Sequence, residues 1–282
     1  MGWMMAAALP KGWKEWVTRD KAGKGTLTIY CSGDEDAWVD WSLRFWDGDI
    51  PNREMIKEHP WGGYVCRGSF LPDQEPHYFK RFSIRNLRYL HKPRRARYSL
   101  LHEARLRDAG FRTPCTVAII ESRRMGILLD SAIITKPITH AFRMFDLINK
   151  EDTGPPWNME KKRNLLYAFG EEAGRLHSAG FYHGDMHWGN IFCRMEEDRF
   201  VFIWTDNERG RRYERLPFRW RVDDLNQVNK YRHRLSRTDR MRMWHGYLKI
   251  AALPDPMADH VLKRVIERSR TFWRKRGWLG ER

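Results

Sequence analysis

The sequence predicts an α+β fold of two packed lobes, and three observations carry that prediction. Short strand-like runs crowd the front of the chain with one clear helical run among them. Long amphipathic runs crowd the back. No internal repeat or low-complexity segment interrupts either part. The boundary falls near residue 137, giving an N-terminal lobe over 1–136 and a mainly helical C-terminal lobe over 137–282.

The elements follow in order. Residues 11–31 alternate apolar and polar positions around "KAGKG", the pattern of a β-hairpin. Residues 35–48, "EDAWVDWSLRFWDG", are expected to form a short helix. "GGYVCRGSF" and "HYFKRF" read as two short strands, with "LPDQEP" supplying turn residues between them. Residues 94–109 are helical: Leu100, Leu101, Ala104 and Leu106 fall at helical spacings, and Gly110 stops the run. Strands are expected over 116–121 and 126–135, with "SRR" as a tight turn between them. The turn-rich stretch "NKEDTGPPWN" at 149–158 then precedes a long amphipathic helix over 159–179. A strand pair is expected around "FVFIWTD", and helices over 222–233, 239–251 and 256–275.

With 282 residues, 41% hydrophobic and 31% charged, the chain can bury a sizeable core and is expected to fold as a soluble protein. No apolar run is long enough to span a bilayer, and the N-terminus lacks the charged leader and apolar core of a cleaved signal peptide. Ala6 stands where a myristoylation motif needs Ser or Thr. The four cysteines form no CxxC pair, which favours reduced thiols and leaves a zinc site unsupported. The formal net charge of +16 draws the chain toward polyanions: nucleic acid, an anionic membrane face or a phosphorylated substrate. A solvated basic surface is the plain alternative. No nucleic-acid recognition motif is present, so no nucleic-acid partner is expected.

The chemistry concentrates in "YHGDMHWGNIFC" at 182–193. Phosphoryl transfer needs a carboxylate that orients the attacking hydroxyl and takes its proton. It needs oxygen ligands for Mg²⁺, a lysine on the nucleotide phosphates and an acid that steadies that lysine. Each has a candidate here. Asp185 precedes Asn190 by five positions, the spacing of the protein-kinase pattern H-R-D-x-x-x-x-N with Gly184 in place of Arg. Asp185 is the candidate base and Asn190 a metal ligand. Asp206, at the end of the apolar run "FVFIW", is the second metal ligand, although Asn207-Glu208 stand where Phe-Gly would follow. Lys80, in "YFKRF", is the candidate phosphate-binding lysine, and Glu103 its ion-pair partner. No glycine-rich phosphate loop can be placed: Gly62, Gly63 and Gly68 precede the lysine strand without the G-x-G-x-x-G spacing.

These residues give the chain a resemblance to the kinase-like superfamily, and within it to the lipopolysaccharide core kinases that phosphorylate heptose or Kdo sugars. The resemblance rests on "FKRF" at 79–82, "HEARLRDAGFRTP" at 102–114, "LHSAGFYHGDMHWGNIF" at 176–192, "TDNERGRR" at 205–212 and "RWRVDDLNQV" at 219–228. It spans roughly residues 60 to 235. Aminoglycoside and choline kinases share an HGDxHxxN loop, so the loop alone does not choose the substrate; the last two segments favour the lipopolysaccharide branch. The resemblance implies a protein-kinase-like fold, ATP and Mg²⁺ as cofactors, and a lipopolysaccharide core sugar or lipid-linked saccharide as acceptor. It also implies a cytoplasmic place, peripheral on the inner membrane.

Other readings stand beside these. His183, Asp185 and His187 could form a metal triad, but lack a further strong ligand nearby. In the kinase reading His183 packs under the loop, and His187 lines the substrate side. Asp224 or Asp223 is structural, holding the catalytic loop's backbone. Trp188 is expected near the substrate, while most of the other tryptophans belong to the core. The run "RGRRYERLPFRWR" at 209–221 could grip phosphates or carboxylates of an acidic sugar. The basic and aromatic "RSRTFWRKRGW" could lie on an anionic membrane. A kinase of the same fold acting on a protein or small hydroxylated molecule remains an alternative. So does a basic pseudokinase that binds an anionic polymer or membrane.

Overall fold

A computed structural model of the chain describes residues 9–19, 25–32, 36–50, 52–58, 63–69, 76–83, 95–149 and 158–275. The chain divides into two compact units, one of 1–105 with 114–139, the other of 106–113 with 140–282.

The first unit is built on a seven-stranded antiparallel sheet. Its strands are β1 (Trp13–Arg19), β2 (Thr26–Ser32), β3 (Glu54–Glu58), β4 (Tyr64–Ser69), β5 (Pro76–Ser83), β6 (Thr116–Arg124) and β7 (Ile127–Thr135), in the order β1-β2-β6-β7-β5-β4-β3. The period-2 alternation of a strand decides which side chains face which way. Ile29, Phe79, Ala118, Ile120, Ala132 and Ile134 share one apolar cluster with Phe45 of α1 (Asp36–Trp46), where the Phe45 and Phe79 rings stack at 5.0 Å. The intervening Tyr30, Phe82, Ile119 and Ile133 form a second cluster with Ala96 and Leu100 of α2 (Arg95–Asp108). A sheet buried on both faces accounts for the near-continuous apolar runs of β6 and β7.

The expected hairpin, the short helix and the helix after the lysine strand are all present. The "SRR" turn is not: β6 continues through Arg124, and the reversal is made by Met125 and Gly126, at φ 50° and 77°. Two consecutive positive-φ residues match the right-handed twist of the flanking strands, which the three-residue "SRR" would not do. Strand β3 was not anticipated; its five residues are all exposed, so it lacks a core-facing alternation. Most of "LPDQEP", and the segments that join β3 to β4 and β4 to β5, lie outside the described residues.

The second unit holds β8 (Phe142–Arg143), α3 (Met144–Asn149), α4 (Met159–Ser178), β9 (Phe181–Tyr182), β10 (Ile191–Glu196), β11 (Arg199–Trp204), β12 (Arg211–Arg212), α5 (Phe218–Asn229), α6 (Arg237–Ala251) and α7 (Asp255–Arg274). Asn158 caps α4 by accepting the Lys161 N–H, and Ser236 caps α6 by accepting the Asp239 N–H. Helices α4 and α6 approach backbone to backbone at Gly170 and Gly246, where a Cβ would meet the carbonyls of Met243 and Tyr167. Strands β8, β10 and β11 form one small sheet, and β9 pairs with β12 in a ribbon. Helix α5 starts four residues before the expected 222. Helix α3 and strand β8 were not anticipated, being too short to show a period.

Candidate functional site

The residues 183–190 join β9 to β10, and their conformation is imposed by a carboxylate 34 residues beyond. Asp224 on α5 is fully buried. Its Oδ2 accepts the His183 N–H at 2.8 Å, and its Oδ1 accepts the Gly184 N–H at 2.9 Å. A third donor is His177, the penultimate residue of α4, whose Nε2 lies 3.3 Å from Asp224 Oδ2. The direction of the bonds behind it is fixed by inventory. Arg221 can only donate, and its guanidinium donates to the Tyr247 hydroxyl oxygen. Tyr247 then donates to His177 Nδ1 at 3.0 Å, which leaves the imidazole proton on Nε2, facing Asp224. Burial and the charge of Arg221 hold the His177 pKa well below the ordinary histidine value, so the ring stays neutral. Burial raises the Asp224 carboxyl to about 7, against the N–H groups that favour its ionised form.

Gly184 sits at φ 80°, and an added Cβ would come within 2.8 Å of Arg209 Cβ and 2.9 Å of the Arg209 carbonyl oxygen. Both the backbone conformation and the space explain why glycine occupies this place. Beneath the loop, buried His183 accepts the Asp185 N–H on Nδ1 at 3.3 Å. Burial lowers its pKa, opposed by Asp224, Asp185 and Asp206, so three carboxylates surround one neutral imidazole. The expected packing role of His183 is therefore observed.

Asn190 ends the loop. Its Nδ2 donates to the Asp185 carbonyl at 3.0 Å, which orients the side chain and leaves Oδ1 as an available acceptor. The Asn190 carbonyl receives both the N–H and the hydroxyl of Thr205, at 3.0 and 2.9 Å. Thr205 immediately precedes Asp206, so the tertiary structure ties the end of the loop to the second candidate metal ligand. Asp206 adopts φ 58°, ψ 47°, the left-handed region that few non-glycine residues occupy. Asp185, Asn190 and Asp206 are thus brought together, and all lie in the second unit. His187 Nδ1 accepts the Gly189 N–H at 3.1 Å, and its Nε2 lies 3.9 Å from Asp185 Oδ2.

Trp188 corrects an expectation. It is wholly buried, packs on Phe169 at 4.8 Å and donates Nε1–H to the Val228 carbonyl at 3.1 Å. An indole locked in the core this way cannot face a sugar; it anchors the loop from below.

Lys80 and Glu103 lie in the first unit. Lys80 shares its sheet face with Phe82, the face that α2 covers, and its Nζ stands 4.9 Å over the Phe82 ring. Glu103 follows Ala96 and Leu100 on the sheet-facing stripe of α2. It is buried, and it accepts the Ser99 hydroxyl at 3.0 Å and the Thr116 hydroxyl at 2.5 Å. A buried glutamate fixed by two hydroxyls is not an ordinary solvated one.

Comparison with known proteins decides the family. Residues 83–247, more than half of the chain, match the lipopolysaccharide kinase (Kdo/WaaP) family. The chain belongs to that family. It is accordingly a phosphotransferase of lipopolysaccharide core biosynthesis, acting on a sugar hydroxyl. Among solved structures, one of WaaP in complex with acyl carrier protein is similar at 20% identity and a TM-score of 0.60, covering 82% of this chain and 95% of that one. A Rio2 kinase complex from Chaetomium thermophilum matches at 14% identity and a TM-score of 0.46, covering 83% of this chain and 76% of that one. No curated protein matches in sequence. The fold of this lipopolysaccharide kinase is similar to that of the WaaP structure, a β-rich part followed by a mainly helical one.

Sequence reasoning missed Tyr247 and Arg221. His177 carried a usable signal, since it continues the buried α4 stripe of Leu166, Phe169 and Ala173.

Proposed function

We propose that the chain transfers the γ-phosphoryl group of ATP to a hydroxyl of heptose or Kdo in the lipopolysaccharide inner core. Asp185 orients the acceptor hydroxyl and takes its proton. Asn190 Oδ1 and the Asp206 carboxylate are hard oxygen donors of the kind Mg²⁺ prefers, and they would hold it. The metal supplies neutralisation of charge on the phosphates. Lys80, steadied by Glu103, binds the nucleotide phosphates. Because the transition state is loose, rate comes chiefly from positioning and charge, which a rigid loop provides better than a strong base would.

The observation that carries this reading is the clamp of Asp224 on the His183 and Gly184 amides, with Asn190 bonded back to the Asp185 carbonyl. The loop is held rigid where the base and the ligand must not move. The test is Mg²⁺-dependent ATP hydrolysis by the wild type beside Asp185→Ala. Hydrolysis that requires Mg²⁺ and fails in the variant is expected; equal hydrolysis by both would refute the assignment of Asp185.

Among the described residues no helix is long and apolar enough to cross a membrane. A peripheral place on the cytoplasmic face of the inner membrane is supported by a basic and aromatic cluster. His233 meets Trp273 at 5.1 Å, and Lys230 Nζ stands 4.8 Å over the Phe272 ring. Arg240 is crowded by Arg232 and Arg237. Cations mixed with aromatic rings suit an anionic headgroup layer.

A further inference from the structure

Two arginines stand beside the ribbon that delivers the catalytic loop, Arg211 on β12 and Arg219 in the first turn of α5. Arg211 on β12 pairs across to Tyr182 on β9, the residue directly before His183-Gly184-Asp185. The Tyr182 ring lies 4.7 Å from the Trp220 ring. Over Trp220 stand two guanidinium groups, Arg219 at 4.5 Å and Arg211 at 5.9 Å from the ring centroid. Both arginines are exposed, and neither pairs with a carboxylate among the described residues. The acid of this cluster, Asp223, is already engaged: it accepts the Tyr182 hydroxyl at 2.6 Å and Arg268 at 3.3 Å.

This is unlike arginines elsewhere on the same unit, where Arg143 pairs with Asp146 at 2.6 Å and Arg264 with Glu267 at 2.9 Å. A guanidinium stacked on an aromatic face is held in place while its in-plane N–H donors stay unused. Each such fork on the one indole presents the geometry that grips a carboxylate or phosphate in bidentate fashion. Tyr182 is three residues from Asp185, a span of at most about 11 Å. The indole that carries both forks packs on Tyr182, so it is fixed to a residue that close to the base.

We propose that Arg211 and Arg219, aligned on Trp220, bind an anionic group of the saccharide acceptor and so select an acidic sugar over a neutral one. The inference rests on the lipopolysaccharide-kinase reading, and it adds which residues choose the acceptor. A sugar carboxylate and a sugar phosphate ester share the required chemistry, and the test separates them.

The full chain is titrated calorimetrically with a Kdo disaccharide, a phosphorylated heptose disaccharide and the same heptose disaccharide without phosphate. At least one acidic ligand should bind about tenfold or more tighter than the neutral one, the least expected of a bidentate charged contact. Whichever acidic ligand does so names the source of the anion. The Arg211→Ala/Arg219→Ala variant, checked for folding by thermal melting, should lose that preference, and the paired Lys substitutions should restore only part of it. The charge-matched Lys161→Ala/Arg163→Ala variant should keep it. The inference is overturned if the neutral sugar binds as well as both acidic ones, or if no acidic sugar binds. It is equally overturned if the arginine variant keeps the preference or the charge-matched variant loses it. Failure of the kinase reading looks different: the wild type would hydrolyse no ATP with Mg²⁺, whatever the sugar titrations gave.

Discussion

Replacing Asp224 by Asn should separate activity from stability. The carboxylate accepts three N–H donors, from His183, Gly184 and His177. A carboxamide keeps one oxygen and turns an NH₂ toward at least one of them. A buried N–H left facing a donor costs about 1–3 kcal/mol. Against this stands the cost of the buried charge. Burial has moved the Asp224 carboxyl from 3.8 to about 7, and a shift of that size corresponds to about 4 kcal/mol of preference for the neutral form. Above pH 7 the neutral Asn removes that cost, so the two effects offset each other to within about 2–3 kcal/mol. The melting temperature should stay within about 10 °C of wild type, and is more apt to rise than fall. The loop, however, loses one of its two backbone anchors, and kcat should drop about tenfold or more with little change in the KM for ATP.

The pH dependence sharpens the test. A carboxyl whose folded pKa is raised stabilises the fold fully below its unfolded value and loses that contribution as pH rises through the folded value. On this group's account wild-type stability therefore falls between pH 3.8 and about 7, while activity rises near pH 7 as the carboxylate forms and accepts both amides. The variant should lack both trends. Melting curves and initial rates from pH 5 to pH 9 are the assay. Wild-type kcat in the variant, or a melting temperature lower by more than about 10 °C, would refute the reasoning.

Asp206→Asn should abolish Mg²⁺-dependent transfer and leave the fold intact, because asparagine tolerates the left-handed conformation at φ 58°. Asp206→Ala should lose activity equally and cost about 1 kcal/mol more, a few degrees of melting temperature, for lack of that tolerance; wild-type turnover in Asp206→Asn would remove it from the metal site. Trp188→Ala should cost about 3–5 kcal/mol, since a fully buried indole and its bond to Val228 are both lost; a wild-type melting curve with a raised acceptor KM would restore it to the substrate side. The chain should cosediment with anionic phosphatidylglycerol vesicles and not with phosphatidylcholine vesicles, and Lys230→Ala/Arg232→Ala should weaken that binding. Equal binding to both vesicles, or none, would remove the basic cluster from membrane contact.

Much of the site was legible because its chemistry is local in sequence. Asp185 and Asn190 lie five residues apart, and Asp206 follows by two residues a strand that the apolar run "FVFIW" already marks. Glu103 was chosen from its place on the helix that follows the lysine strand; its burial beside Ser99 and Thr116 came only with the packing of α2. Trp188 was misread because it stands among the polar candidate residues of the loop. Only its packing against Phe169, on another element, makes it core. The Met125-Gly126 turn was missed because nothing in "SRRMG" resembles the Asn-Gly pair that usually signals such a reversal.

The sequence by itself determined the longer elements, the α+β class and which residues are candidates for phosphate transfer, because periodicity and short motifs are written within a few residues. The tertiary structure alone decided how those groups are held. Arg221, Tyr247, His177 and Asp224 are separated by 3 to 70 positions and become one directed chain of hydrogen bonds only when α4, α5 and α6 pack. Hydrogen bonds form over about 3 Å of space, whatever the distance along the chain, so the clamp that makes the loop rigid is a property of the packed helices and of no single stretch of sequence.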